Sequence, residues 1–176
     1  MAPKTRPQAM AAMSSANGVL RVGSVRAMVM TESAFGFIQR VMYEQMPEFM
    51  VYGFYEMGYR AGIDLSETIR GAGAAEEAFR AFVENYRQFG YGDIEVVEFD
   101  FSKPEALLRG RNLIEANLAR TSGIFRTPRT VDHYSRGMFA GLFSKLLGKE
   151  VICEELACQY RGDPACEFSV LGFGGG

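Results

Sequence analysis

The stretch EELACQYRGDPACEF, residues 154–168, decides the fold of this chain. It contains two of the three cysteines, and the third, Cys153, comes directly before it. The flanking segments KEVICEEL and CEFSVLGF are short and partly apolar, as β-strands are, and QYRGDPA between them has the Gly-Asp-Pro composition of a turn. The sequence therefore predicts a β-hairpin that brings Cys158 and Cys166 together near one end.

Three interpretations of this cysteine cluster are open on local grounds: redox partners, inert core residues, or metal ligands. Two thiolates and the carboxylate of Glu155 form a set of sulfur and oxygen donors that suits zinc. In a regular strand, however, Glu155 and Cys158 point to opposite faces because their separation is odd. A metal site therefore requires a bulge, or the start of the turn, at Cys158. Buried free cysteines are also common without any ligand role.

The rest of the chain predicts helices packed on this sheet. Apolar residues at helical spacing, and a cap at Thr31 or Ser33, predict helices over about residues 31–45, 47–69, 75–89 and 131–147. Alternation of apolar residues predicts a strand at 94–101 that forms a hairpin with a second strand at about 106–112, and residues 20–30 form a short strand or an extended lead-in. The segment 121–130 is predicted to be a loop. The fold class is therefore α+β, with helices packed on a small antiparallel sheet.

Composition excludes several classes of function. The chain has 176 residues and a net charge of -2, which fits one globular domain and argues against a nucleic-acid partner. No apolar stretch is long enough to span a membrane. Three cysteines are too few for a secreted disulfide scaffold, so we expect a cytoplasmic location. Residues 1–30 contain no acidic residue and are predicted to be a flexible basic arm, with a transit peptide as the alternative, followed by one domain at 31–172.

Two of the predicted helices combine aromatic residues and methionines with glycines. Gly53, Gly58 and Gly62 interrupt one helix, and Gly137 and Gly141 the other. Because glycine weakens a helix, such residues usually let a backbone or a ligand come close. We interpret them as opening a pocket for an apolar ligand, although such stripes are also typical of an ordinary core. The predicted lining residues are Tyr52, Tyr55, Gly58, Tyr59, Gly62, Met138, Gly141 and Leu142.

The segment HYSRGMFAGLFSKLLGKEVICEELACQYRGDPACEFSV, residues 133–170, resembles the C-terminal half of the vinyl-4-reductase-type hydrocarbon-binding domain. The family pattern is a glycine-rich helix, a short strand led by glycine, and the hairpin with its Glu and two Cys residues. The matching residues are Gly137, Gly141, Gly148, Glu155, Cys158, Gly162, Cys166 and Phe168. YGFYEMGYRAG, residues 52–62, resembles an earlier helix of the family, so the resemblance covers roughly residues 35–171.

The resemblance implies a fold like that of TRAPP trafficking subunits and of phenol-sensor domains. In those sensors a structural zinc is held by a Cys at the start of the preceding helix and by the Glu, Cys and Cys of the hairpin. This chain has Glu155, Cys158 and Cys166, but the stretch TVDHYSRG contains no cysteine. His133 is predicted as the fourth ligand because it falls at or beside that position, and Asp132 and Cys153 are the alternatives.

The resemblance also implies the class of ligand: phenols, other hydrocarbons, or tetrapyrroles such as chlorophyll precursors and bilins in photosynthetic members. Reduction of a vinyl group needs a hydride donor, yet no G-x-G-x-x-G follows a predicted strand. A Ser/His/Asp triad is not credible with a single histidine. We therefore predict a binding protein, a carrier or sensor, rather than an enzyme. The alternatives are a homodimeric or partner-binding assembly module and an enzyme of chlorophyll biosynthesis related to the vinyl reductases.

Overall fold

The computed structural model describes residues 13–69, 75–100, 105–123 and 130–172. Three short strands come first, followed by three helices, a strand pair, two helices and a final strand pair. The elements are β1 (Met13–Ala16), β2 (Val19–Val22), β3 (Val25–Ala27), α1 (Glu32–Gln45), α2 (Pro47–Ile69), α3 (Ala75–Gln88), β4 (Asp93–Asp100), β5 (Glu105–Arg111), α4 (Ile114–Ser122), α5 (His133–Leu147), β6 (Val151–Ala157) and β7 (Cys166–Gly172). The predicted α+β class is confirmed.

The main sheet contains four antiparallel strands in the order β4-β5-β7-β6. Both predicted hairpins form, and β5 pairs with β7 to join them. The pairing of β6 with β7 shifts register between Glu155 and Ala157, and Cys158 lies just beyond the strand. The bulge that a metal site requires is thus present, and it turns Glu155 and Cys158 toward a common point.

Helix α5 lies at the centre of the molecule, with α2 along one side and the sheet on the other. Ten of its residues are buried, from His133 to Phe143, so the helix is apolar on nearly all sides. The edge strand β6 is tied to this helix. The Val151 amide donates to Ser144 Oγ at 3.1 Å, and the carbonyl of Cys153 accepts from Arg136 Nε at 3.0 Å. These contacts fix the start of α5 against the strand that carries Glu155.

Helix α1 begins as predicted, because Thr31 Oγ1 accepts a hydrogen bond from the amide of Ala34. Helix α4 differs from the sequence prediction, since the pattern of its residues fits a strand as well as a helix. It is only nine residues long, and Asn112, with φ of 53°, breaks β5 just before it. Its first amide, on Ile114, donates to the carbonyl of Tyr91, a tertiary contact that local sequence does not reveal.

Part of the predicted N-terminal arm forms a small sheet. Strands β1 to β3 are an antiparallel meander, and Asn17 and Gly18 make the first turn with positive φ angles. Most of its side chains are exposed, and only Val22 is fully buried. Residues 1–12, Phe101 of a predicted strand and residues 124–129 of the predicted loop lie outside the described residues. Among the helices described, none combines the length and apolar character that crossing a bilayer demands.

Candidate metal centre and ligand site

Four buried ionisable side chains meet where the hairpin approaches the start of α5. They are Asp132, Glu155, Cys158 and Cys166, and one potential ligand atom from each lies within 4.8 Å of all the others. The sulfur atoms of Cys158 and Cys166 are 3.9 Å apart, and Cys158 Sγ lies 3.9 Å from Asp132 Oδ2. Two thiolates on a tetrahedral zinc at about 2.3 Å each would be roughly 3.8 Å apart. The spacing therefore fits one metal ion.

Backbone amides hold each carboxylate by one oxygen. Glu155 Oε2 accepts hydrogen bonds from the amides of Val131 and Asp132, and Asp132 Oδ1 accepts from the amide of Ala116. Glu155 Oε1 is buried and has no hydrogen-bond partner. A buried acceptor without a partner is costly, and a metal ion would satisfy it.

The amides around the hairpin turn orient the two thiols in the same manner. The amide of Gln159 donates to Cys166 Sγ at 3.3 Å, and the amide of Cys158 donates to Asp163 Oδ2 at 2.8 Å. Such contacts fix ligand direction in metal sites. The three cysteines are free, so Cys158 and Cys166 do not form a disulfide.

The electrostatics of the cluster also call for a cation. Burial raises the pKa of Asp132 well above its ordinary value, and the nearby carboxylate of Glu155 raises it further. The pKa of the Cys166 thiol is raised by its hydrogen bond with Cys158 and by burial. A divalent cation favours the ionised forms of all four groups. The two oxygen and two sulfur donors thus fit zinc, in a site closed by protein ligands.

His133, the predicted fourth ligand, is not one of the four residues in this cluster. Its ring is buried, and its Nδ1 lies 3.4 Å from Nη1 of Arg136. Burial and the neighbouring guanidinium lower the pKa of His133 to about 4. Asp132, one of the alternatives, occupies the place instead. The signal for it in the sequence is its position directly before a helix, where an aspartate is a common N-cap residue.

A second carboxylate beside the metal cluster escaped the sequence analysis. Glu115, at the start of α4, is buried and accepts hydrogen bonds at 2.9 Å from the amides of Tyr134 and Ser135 and from Ser135 Oγ. Burial, opposed by these donors, raises the pKa of Glu115 to about 7. Gln39 of α1 approaches the same carboxylate with its Nε2 at 3.4 Å, and Gln39 Oε1 has no partner.

The glycines on α2 and α5 bring the two helix backbones into contact. A Cβ atom on Gly58 would lie 2.0 Å from the carbonyl oxygen of Tyr134, and one on Gly141 would lie 2.0 Å from that of Tyr59. Gly62 and Gly137 meet the opposite backbone at similar distances. These glycines therefore form a helix–helix contact, and the space that they were predicted to open for a ligand is filled by the facing helix.

The other predicted lining residues do not share one space with these glycines. Met138 and Leu142 are fully buried, whereas Tyr52 is 63% exposed. Tyr55 is partly buried beneath Arg136, whose guanidinium carbon lies 5.5 Å from the ring centroid, and Tyr59 is partly buried beside the core.

Aromatic rings instead gather on the side of α5 that faces α3 and the sheet. The ring centroids of neighbouring pairs are 4.9 to 6.2 Å apart. We call this group the aromatic cluster; it consists of Phe79, Phe82, Tyr86, Phe99, Phe139, Phe143 and Phe168. At one end Tyr86 Oη lies 2.9 Å from Ser135 Oγ, which contacts Glu115 Oε2 at 2.9 Å. A line of polar atoms thus reaches the rings from the start of α5.

Residues 119–171 match the family model of the vinyl-4-reductase domain. The resemblance to the vinyl-4-reductase-type domain is thereby confirmed for this C-terminal part of the chain, which contains Asp132, Glu155, Cys158 and Cys166. No curated protein sequence matches the chain.

Three solved structures share the fold. The phenol-responsive sensory domain of the transcription activator PoxR, solved with phenol, has a TM-score of 0.79 at 18% identity, covering 90% of this chain and 83% of that one. A vinyl-4-reductase family protein from Methanocaldococcus jannaschii has a TM-score of 0.56 at 18% identity, covering 84% and 85%. A trafficking protein particle complex subunit 3 from Naegleria fowleri, covalently bound to palmitic acid, has a TM-score of 0.57 at 17% identity, covering 81% and 95%.

Proposed function

We propose that this protein is a non-catalytic carrier or sensor of a small aromatic molecule, and that the ligand binds in the aromatic cluster. The observation that carries the proposal is the line of hydroxyls that ends among the rings, at Tyr86. Binding sites for small apolar molecules combine aromatic walls with a few polar groups that orient the ligand. The likeness to a phenol-responsive sensory domain supports the same class of ligand.

The polar line defines which ligand group is recognised. Ionised Glu115 only accepts hydrogen bonds, so Ser135 donates to it and Tyr86 donates to Ser135. The Tyr86 oxygen then retains acceptor capacity, and it can accept the hydrogen of a phenolic hydroxyl. A single ring can insert between the existing rings if Phe99 on the edge strand β4 moves outward. A tetrapyrrole is several times larger and would require the cluster to open, so we favour a single-ring ligand.

We further propose that Asp132, Glu155, Cys158 and Cys166 bind a structural zinc ion. The zinc would supply no chemistry beyond a cross-link between the hairpin and the start of α5. Ser135 lies only three residues after Asp132, so the cross-link would also hold the polar line in register with the rings. Thiolate ligands fit a reducing compartment, and we propose a cytoplasmic location.

The test of the ligand site compares two probes and two variants. Phenol and toluene are titrated into wild type, Tyr86→Phe and Tyr52→Phe, and binding is followed by isothermal titration calorimetry. We expect Tyr86→Phe to weaken phenol about fivefold, the value of one hydrogen bond of about 1 kcal/mol, and to leave toluene unchanged. Tyr52→Phe, at an exposed ring, serves as the control and should bind both like wild type. Equal losses for both probes, or no phenol binding by wild type, would refute this site.

A further inference from the structure

The outward faces of α1 and the first turns of α2 are unusually apolar. On α1 the inward face is closed by Phe35 and Gln39, as expected for a surface helix packed on a core. Its opposite side, where polar residues are expected, carries Phe37, Ile38 and Val41, which are 66%, 40% and 39% exposed. The helix therefore has apolar residues on both sides, and only one side is covered within the chain.

The exposed surface continues from α1 onto α2. Phe49 and Met42 lie side by side, since both approach the position that a Cβ on Gly53 would take, at 3.2 and 3.5 Å. Phe49 and Tyr52 are 53% and 63% exposed, and Met46 between the helices is also exposed. We call this surface the α1–α2 face; it consists of Phe37, Ile38, Val41, Met46, Phe49 and Tyr52.

The α1–α2 face is large enough for a protein partner. An aromatic side chain offers about 150–250 Å², so the three aromatic residues alone expose on the order of 350 Å². The three aliphatic residues add to this, as do the exposed Met28, Val29 and Met30 just before α1. The largest apolar patch on a typical monomer covers about 300–600 Å², and a stable interface buries about 800 Å² on each side.

The charges beside the face identify a second copy of the same chain as the partner. Arg40 and Glu44 are both exposed and lie one turn apart on α1, next to Phe37 and Val41. A two-fold axis that sets two α1 helices antiparallel can bring each Arg40 near the other copy's Glu44. A membrane surface would instead favour an excess of Lys and Arg around the apolar residues. We propose that the α1–α2 face is the interface of a homodimer, a role beyond the ligand binding proposed above.

Sedimentation velocity of the full chain from about 1 to 100 µM tests the interface. We expect wild type to reach twice the 19.5 kDa chain mass and Phe37→Glu to remain at the chain mass over that range. Because Phe37 is exposed, the circular dichroism and melting temperature of this variant should match those of wild type. Leu156→Glu is the matched control: Leu156 is exposed on β6, away from the face, and this variant should still dimerise.

Each other outcome would overturn the proposal. A wild type that stays at the chain mass, or a Phe37→Glu variant that still dimerises, excludes this face as the interface. If wild type is monomeric and binds vesicles of phosphatidylcholine and phosphatidylserine, while Phe37→Glu does not, the face is a membrane-binding surface and not a dimer interface.

Discussion

Glu115 and Asp132 each cap the helix that begins beside the other. Asp132, directly before α5, accepts the amide hydrogen of Ala116 in the first turn of α4 at 3.1 Å. Glu115, in the first turn of α4, accepts those of Tyr134 and Ser135 in the first turn of α5 at 2.9 Å. Two helix N-termini, which favour negative charge, thus meet around two buried carboxylates. This junction holds Asp132 where it can share a metal ion with the hairpin.

The first prediction concerns the metal. Protein purified without chelator should contain about one zinc per chain by elemental analysis, and Cys158→Ser or Cys166→Ser should lose it. Both variants should also melt at lower temperature, because metal binding and folding are linked. Full zinc occupancy in both variants would disprove the site.

The identity of the fourth ligand is a separate prediction. Asp132→Ala should lose zinc, whereas His133→Ala, the matched change one residue away, should retain it because the His133 ring faces Arg136. Asp132→Cys should bind zinc more tightly than wild type in competition with a chromophoric chelator, since a thiolate is the softer ligand. Zinc loss in His133→Ala with retention in Asp132→Ala would reverse the assignment.

The helix contact gives a prediction with an internal control on α2. Gly58→Ala should destabilise the protein by about 1–3 kcal/mol or more, because the new methyl group meets the backbone of Tyr134, which cannot move aside. Gly53→Ala should be neutral or stabilising by up to about 1 kcal/mol, since it meets only the side chains of Phe49 and Met42 and improves helix propensity. Urea denaturation measures both, and equal effects would contradict the close backbone contact.

These glycines also show where reading the sequence succeeds and where it stops. Their spacing predicts that something approaches α2 and α5 closely, and this is what the structure shows. It does not reveal whether the approaching group is a ligand or another backbone, because that depends on which helices become neighbours. Similarly, the odd separation of Glu155 and Cys158 correctly required a bulge. The role of Glu115 depends on α4 meeting the start of α5, a tertiary contact without a local pattern.

The last prediction concerns the pH dependence of stability. In the unfolded chain Glu115 titrates near its ordinary pKa of 4.5, and in the folded protein its pKa is about 7. Below pH 4.5 both states hold the proton. Between pH 4.5 and 7 the unfolded state ionises first, so stability falls as pH rises, and the loss is complete above pH 7. At about 1.4 kcal/mol per pKa unit, the loss is on the order of 3 kcal/mol.

Glu115→Gln removes this titration and leaves an amide oxygen for the helix N-terminus. The amide NH₂ can also donate to Gln39 Oε1, which has no partner in the wild type. The stability of Glu115→Gln relative to wild type should therefore rise between pH 5 and 8, as measured by urea denaturation at several pH values. Acid release of zinc affects both proteins and cancels in the difference. Glu98→Gln, at an exposed residue of β4, should give a difference that does not change with pH. If the curve for Glu115→Gln runs parallel to wild type across this range, the proton on Glu115 is not linked to folding.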